Sequence, residues 1–217
     1  MKTLGSIAAL AVASSALAGV SYVDEVNDLF DNGFTNLDIS SVNVTNDAEN
    51  VFITVSTVGF QNWTKYMMYF DTGAGGTVSN GWNRPVILSR EIDRYIGSWV
   101  DQPNSNAQLW DWNGGAWNLG STVDNDQSMV GMNMVTFTVS LGWLGVNVGD
   151  TFYFDVATSG GGGNDPGVDH LSRSTPATPG WGTPSEAGSF LAYTVVPSPG
   201  AVALLGLAGL AGRRRRA

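Results

Sequence analysis

Short runs in which apolar side chains alternate with polar ones recur through the middle of the chain. Leu37 to Thr45 (LDISSVNVT) and Val51 to Val58 (VFITVSTV) place apolar and β-branched residues at alternate positions. A period of two gathers those residues on one face of an extended strand, whereas a helix needs a period of 3.6. A chain written this way buries its apolar residues by packing sheets. Lys65 to Asp71, Val86 to Ser89, Tyr95 to Val100, Ala107 to Trp112, Met134 to Val139, Thr151 to Thr158 and Phe190 to Val196 continue the pattern. Asn113-Gly114-Gly115, between Trp112 and Trp117, reads as a hairpin turn, because Asn and Gly accept the positive φ such turns require. Leu141–Val146 reads as one short helical turn. Gly160 to Gly163 followed by Asn164-Asp165-Pro166-Gly167 reads as a loop.

About nine strands closed by polar, Gly-rich turns predict an all-β chain, an antiparallel β-sandwich of immunoglobulin-like or jelly-roll-like form. A closed β-barrel is the alternative. With 217 residues, 43% of them hydrophobic, the chain is long enough for one well-developed core. The absence of cysteine excludes disulfides, thiolate catalysis and Cys-based zinc sites, so packing must hold the fold. All 19 acidic residues lie between Asp24 and Glu186, against five basic ones (Lys65, Arg84, Arg90, Arg94 and Arg173), which leaves −14 for that region. Such a surface repels phosphate backbones, so no nucleic-acid partner is expected.

The two ends differ from the middle. Met1-Lys2-Thr3 opens on a positive charge, and Leu4 to Leu17 is a run of small and apolar residues. Ala16-Leu17-Ala18 then sets Ala16 and Ala18 where signal peptidase reads small side chains. Residues 1–18 are therefore expected to be a signal helix, cleaved after Ala18, and the chain to be exported. At the other end Val196-Pro197-Ser198-Pro199-Gly200 leads into the apolar run Ala201 to Gly212 and then Arg213, Arg214, Arg215 and Arg216. A helix of that apolar length spans about 18 Å, short of a hydrocarbon core about 30 Å thick. The arginines favour the cytoplasmic side. The stretch reads as a hydrophobic helix that enters the membrane transiently and is held there while it is processed.

Residues 196–217 resemble the PEP-CTERM sorting signal of Gram-negative bacteria, in the form VPxPGA followed by an apolar stretch and an Arg run. Ser198 departs from the family pattern, standing where the family's name puts Glu. The resemblance implies that an exosortase recognises Pro197, Ser198, Pro199 and Gly200, and that the protein is sorted to the cell surface or beyond. It leaves residues 19–195 as the exported domain. There the order LDISSVNVTND…NVFITV, KYMMYFDTGAGG, AQLWDWNGGAWN and VTFTVSLGWLGVNVGDTFYFDV is similar to the DOMON-like superfamily, which includes family 9 carbohydrate-binding modules. That resemblance covers roughly Asp38 to Asp155 and implies a β-sandwich used for binding.

Trp110 and Trp112, two apart on one strand, share a face, and Trp117 across the Gly turn is a cross-strand neighbour of Trp112. They form either a platform for sugar rings, with polysaccharide as the partner, or part of a core. Asp124 and Asp126 flank Asn125, and Asp165 and Asp169 bracket Pro166-Gly167-Val168. Both sets read as calcium ligands or, more simply, as solvated turns, and neither fits the EF-hand spacing. No cofactor other than calcium is implied. Catalysis has little support: His170 beside Asp169 and near Ser172 makes no triad by proximity alone. Met67, Met68 and His170 could in principle serve a haem, but the sequence favours core Met and loop His. The expectation is an exported, non-enzymatic surface or matrix protein associated with exopolysaccharide or biofilm, with a carbohydrate-binding module as the alternative.

Overall fold

The computed structural model describes residues 19–102 and 106–197. The signal segment with Ala16 and Ala18, the sorting residues Ser198, Pro199 and Gly200, and the tail with Arg213, Arg214, Arg215 and Arg216 lie outside the described residues.

In chain order the strands are β1 (Gly19–Val23), β2 (Ile39–Asn46), β3 (Asn50–Thr57), β4 (Lys65–Asp71), β5 (Val86–Ile87), β6 (Arg94–Trp99) and β7 (Ala107–Trp112). They continue with β8 (Trp117–Val123), β9 (Asn125–Asp126), β10 (Met134–Ser140), β11 (Thr151–Ser159), β12 (Gly167–His170), β13 (Ser185–Glu186) and β14 (Leu191–Thr194). One turn of α-helix, α1 (Leu141–Leu144), is capped by Ser140, whose hydroxyl accepts the Trp143 amide. The first sheet runs β1-β2-β3-β10-β9. The second runs β12-β11-β4-β6-β7-β8, with β14 beside the first half of β11. Both are antiparallel throughout, and a two-residue parallel ladder joins β5 to β13.

The all-β expectation holds, and two facing sheets around one core are consistent with a β-sandwich. Fourteen strands stand where about nine were expected. Outside the nine runs stand β1, β8, β9, β12 and β13, and of these β9 and β13 have two residues each, too few to carry a period. β12 falls just after the expected loop, and its GVDH is buried at all four positions, so no alternation marks it.

The inner faces supply the main core. Val51, Ile53 and Val55 of β3 are buried in strict alternation and, with Val135, Phe137 and Val139 of β10, meet Tyr66, Met68 and Phe70 of β4. Phe152, Phe154 and Val156 of β11 complete it. Tyr66 and Phe137 bridge the sheets at 5.6 Å between ring centroids. With no disulfide to constrain the unfolded chain, this burial carries the stability.

The second sheet is buried on its outer face as well, which is why all five central residues of β4 are inaccessible. Met67 and Tyr69 of β4, Tyr95 of β6 and Ala157 of β11 pack there against Val86, Leu88 and Ile92. The cover is irregular chain, residues 72–93 and 172–190, laced together by the β5–β13 ladder. That layer places the aromatic site described next.

Both ends of the domain are fastened. The Tyr22 hydroxyl donates to the Ala192 carbonyl at 2.6 Å. Asn46 grips Val196 from both sides, its amide donating to the Val196 carbonyl (2.8 Å) and its carbonyl accepting the Val196 N–H (3.0 Å). Cleavage after Ala18 would leave β1 whole, since Gly19 already pairs with Thr45. Among the described residues no helix is long and apolar enough to cross a membrane.

Candidate functional site

The outer face of the second sheet presents tryptophans in two groups. Trp110, Trp112 and Trp117 fall on that face as their spacing requires. Trp112 pairs with Trp117 across the β7–β8 hairpin, with ring centroids 5.6 Å apart. The turn is built by Asn113, whose side-chain oxygen accepts the amides of Gly115 (3.0 Å) and Ala116 (2.8 Å), while Gly114 takes φ 94°. Asp111 points to the opposite face, where it pairs with Arg94 at 3.2 Å. Trp110 is covered. A Cβ on Gly81 would sit 2.7 Å from its ring, and its indole N–H is buried. Trp117 is tied down by its N–H to Ser79 Oγ at 3.1 Å. The expected trio is therefore half platform and half packing: Trp110 is roofed by the 79–82 loop, and only the Trp112–Trp117 edge remains at the surface.

The second group joins residues distant in sequence. Trp82, from the irregular cover, lies flat on β6 directly over Gly97, where any side chain would overlap its indole. Its N–H donates to Gln108 Oε1 at 2.7 Å, and it runs near-parallel to Trp99 (27° between planes, centroids 6.4 Å apart). Arg84 sits over the Trp82 ring, 5.2 Å from its centroid. A cleft of about 270 Å³ opens here, lined by Lys65, Trp82, Arg84, Trp99 and Gly163. Arg84 also lines a neighbouring cleft of about 640 Å³ that reaches Trp181.

Arg84 is buried, and one of its nitrogens donates to Ser159 Oγ (2.7 Å) and to the carbonyls of Gly160 and Asp165 (both 3.2 Å). Lys65, Arg90, Arg94 and Arg173 each have a carboxylate partner; among the described residues Arg84 has none. Two of the five cations of an acidic domain thus converge on one aromatic-walled cleft. The signal for it in the sequence is Gly97 itself, since a glycine inside a strand often marks a close approach of another group.

The carboxylates expected to bind metal stand in three different settings. Asp124 and Asp126 are exposed at the point where the chain passes from one sheet to the other. Asp126 accepts the Ser128 amide at 2.8 Å, which holds its carboxyl below the usual range. Asp165 closes its own turn by accepting the Gly162 amide (2.7 Å). Asp169 instead points from β12 into a buried group with Asp28 and Asp38, whose carboxylate oxygens lie within 4.8 Å of one another. Asp24 adjoins them, pushed up to about 8 chiefly by burial and then by the Asp28 charge. These acids are brought together from residues 24 to 169, so no spacing announces them.

His170 is a strand residue of β12, fully buried, and both ring nitrogens are engaged. Nδ1 lies 2.7 Å from Asp155 Oδ2 and Nε2 lies 3.2 Å from Ser185 Oγ. The order Asp–His–Ser matches that of a hydrolytic triad, formed by Asp155 and Ser185 rather than by Asp169 and Ser172. All three side chains are inaccessible, and the Ser185 oxygen also accepts the Gly167 amide at 3.0 Å. No substrate atom can reach that hydroxyl, so the array acts as a buried polar clasp between β11, β12 and β13. Met67 and Met68 are buried on opposite faces of the sheet and do not converge on His170.

Compared with known proteins, the chain matches no family model and, significantly, no curated protein.

Proposed function

We propose that this chain is an exported, non-catalytic surface domain, a β-sandwich of the DOMON-like kind, that binds polysaccharide through the Trp82–Trp99 shelf. The observation carrying this reading is the cleft itself: two near-parallel indoles beside the head groups of Lys65 and Arg84. With Trp82 seated on β6 beneath Arg84, the indole offered to the apolar C–H face of a pyranose is that of Trp99, while ammonium and guanidinium groups donate only, to hydroxyl or carboxylate oxygens of the sugar.

Export and sorting rest on the order of the segments. An apolar leader with Ala16 and Ala18 precedes β1, and the Pro-Ser-Pro motif begins where the grip of Asn46 on Val196 ends. In this reading signal peptidase removes residues 1–18. An exosortase then acts near Pro197, Ser198, Pro199 and Gly200 while the apolar helix and Arg213, Arg214, Arg215 and Arg216 hold the tail in the membrane. The mature form taken from the cell surface should start at Gly19 and lack the Arg run by intact mass. A surface form that retains it would rule out processing.

For binding, the purified domain is run through native gels containing hydroxyethylcellulose, xylan, laminarin or alginate. At least one should retard it. Trp99→Ala should weaken that retardation about 5- to 150-fold, because stacking of one ring on an indole contributes about 1–3 kcal/mol by analogy with base–aromatic stacking. Trp112→Ala should keep most of it, which separates the shelf from the hairpin pair. If no gel retards the wild type, the tryptophans serve packing alone.

A further inference from the structure

We propose that Asp28, Asp38 and Asp169, with Asp24 beside them, form a binding site for one hard divalent cation, calcium, which clamps the segment between β1 and β2 onto both sheets. The four carboxylates converge from separate places. Asp24 and Asp28 lie in the irregular segment after β1, which turns through Asn27 in the left-handed region (φ 63°). Asp38 immediately precedes β2 of the first sheet, and Asp169 sits on β12 at the edge of the second. Oxygens of Asp28, Asp38 and Asp169 all lie within 4.8 Å of one another. Two ligands of one calcium, each about 2.4 Å from the ion, span no more than that.

A cluster of acids alone would mean little; the unsatisfied oxygens are the independent observation. Both oxygens of Asp28, Oδ1 of Asp38 and Oδ2 of Asp24 are buried without a hydrogen-bond partner. The three residues are only 9%, 0% and 8% exposed. The remaining oxygens are already fixed. Asp38 Oδ2 accepts the Asn27 amide (3.0 Å), Asp24 Oδ1 the Glu25 amide (3.0 Å), and Asp169 the amides of Ile39 (2.6 Å) and His170 (2.8 Å). These bonds set the orientation of three of the carboxylates and leave the other oxygens of Asp24 and Asp38 buried and unpartnered.

No lysine or arginine pairs with any of the four among the described residues. The neighbouring Asp155 is committed to His170. Buried carboxylates are paired, protonated or bound to metal. Burial raises the pKa of all four, so each is costly to ionise without a cation. On the solvent side of the group an open cleft of about 300 Å³ is lined by Val23, Asp24, Glu25 and residues 171–174. An all-oxygen carboxylate set selects calcium over softer metals, and its number of charges suits calcium better than the largely hydrated magnesium.

The test uses the exported protein washed with EGTA and then titrated calorimetrically with CaCl₂, beside melts in EGTA, MgCl₂ and CaCl₂. One calcium per chain should bind, and calcium at about 100 times its Kd should raise the melting midpoint by about 5–10 °C over EGTA. Asp28→Asn is the informative variant, because neither Asp28 oxygen has a hydrogen bond to lose. It should weaken calcium at least about tenfold and, in EGTA, melt no lower than the wild type. The paired change Asp124→Asn with Asp126→Asn should leave binding intact. The proposal is overturned if the wild type shows neither heat nor a shift at about 10 mM calcium, roughly ten times the weakest Kd of extracellular calcium modules. It is equally overturned if Asp28→Asn binds as the wild type does, or if the Asp124/Asp126 pair abolishes binding. The wild-type stoichiometry decides the matter should a variant fail to fold.

Discussion

Asp155→Ala is expected to lower folding stability by about 3–5 kcal/mol, the cost of stripping one partner from a buried charged or polar pair. That is a large share of the roughly 5–15 kcal/mol available to a domain. Asp155 accepts the amides of Val156 (2.9 Å) and Ser172 (3.1 Å) on one oxygen and faces His170 Nδ1 with the other. Alanine would orphan two buried amides and an imidazole at once. Asp155→Asn should cost less, about 1–3 kcal/mol. Asparagine keeps an oxygen for the two amides and turns an N–H toward Nδ1. The imidazole can answer by moving its proton to Nε2, where Ser185 Oγ has acceptor capacity beyond the Gly167 amide. Urea unfolding of the two variants measures the difference. Equal losses would show that the imidazole cannot change tautomer, and a small loss for the alanine variant would show that the clasp does not hold β11, β12 and β13 together.

How much of this was legible in the sequence follows from where periodicity operates. β4 and β7 begin and end where the alternating runs do, and the Asn113 turn was readable because its chemistry is local. Asp71 likewise caps its own turn by accepting the Gly73 amide, as a strand-ending Asp before Thr-Gly suggests. The outer layer was not legible. Residues 72–93 and 172–190 are held by side chains, an isolated bridge and a ladder of only two residues, so nothing in their spacing says that Trp82 lies against β6 or that Ser185 meets His170. The buried carboxylates were illegible for the same reason. Proximity in sequence favoured Asp124 and Asp126, while the buried group joins Asp38 to Asp169 across 131 positions, the reach of a fold and not of a motif.

Gly97→Ala tests whether the shelf is as rigid as its seat implies. A Cβ there would fall within the Trp82 indole, contacting its ring nitrogen and the adjoining six-membered ring. The neighbours leave little freedom to retreat: the indole N–H is committed to Gln108, Tyr95 meets the ring edge-on at 6.0 Å, and Arg84 covers it. Relief requires Trp82 to lift off β6, taking the cleft wall with it. Overpacking of this kind typically costs about 1–3 kcal/mol. Polysaccharide retention should fall at least about tenfold, although Gly97 itself touches no ligand in this arrangement. Trp82→Ala in the same chain separates cause from coincidence, since removing the obstructed ring removes the clash. The double variant should then be more stable than the sum of the single losses predicts, with a coupling of about 0.5–3 kcal/mol as expected for residues in direct contact. Additive losses within about 0.5 kcal/mol would mean that the indole does not rest on Gly97, and the shelf, with the binding role built on it, would go with that contact.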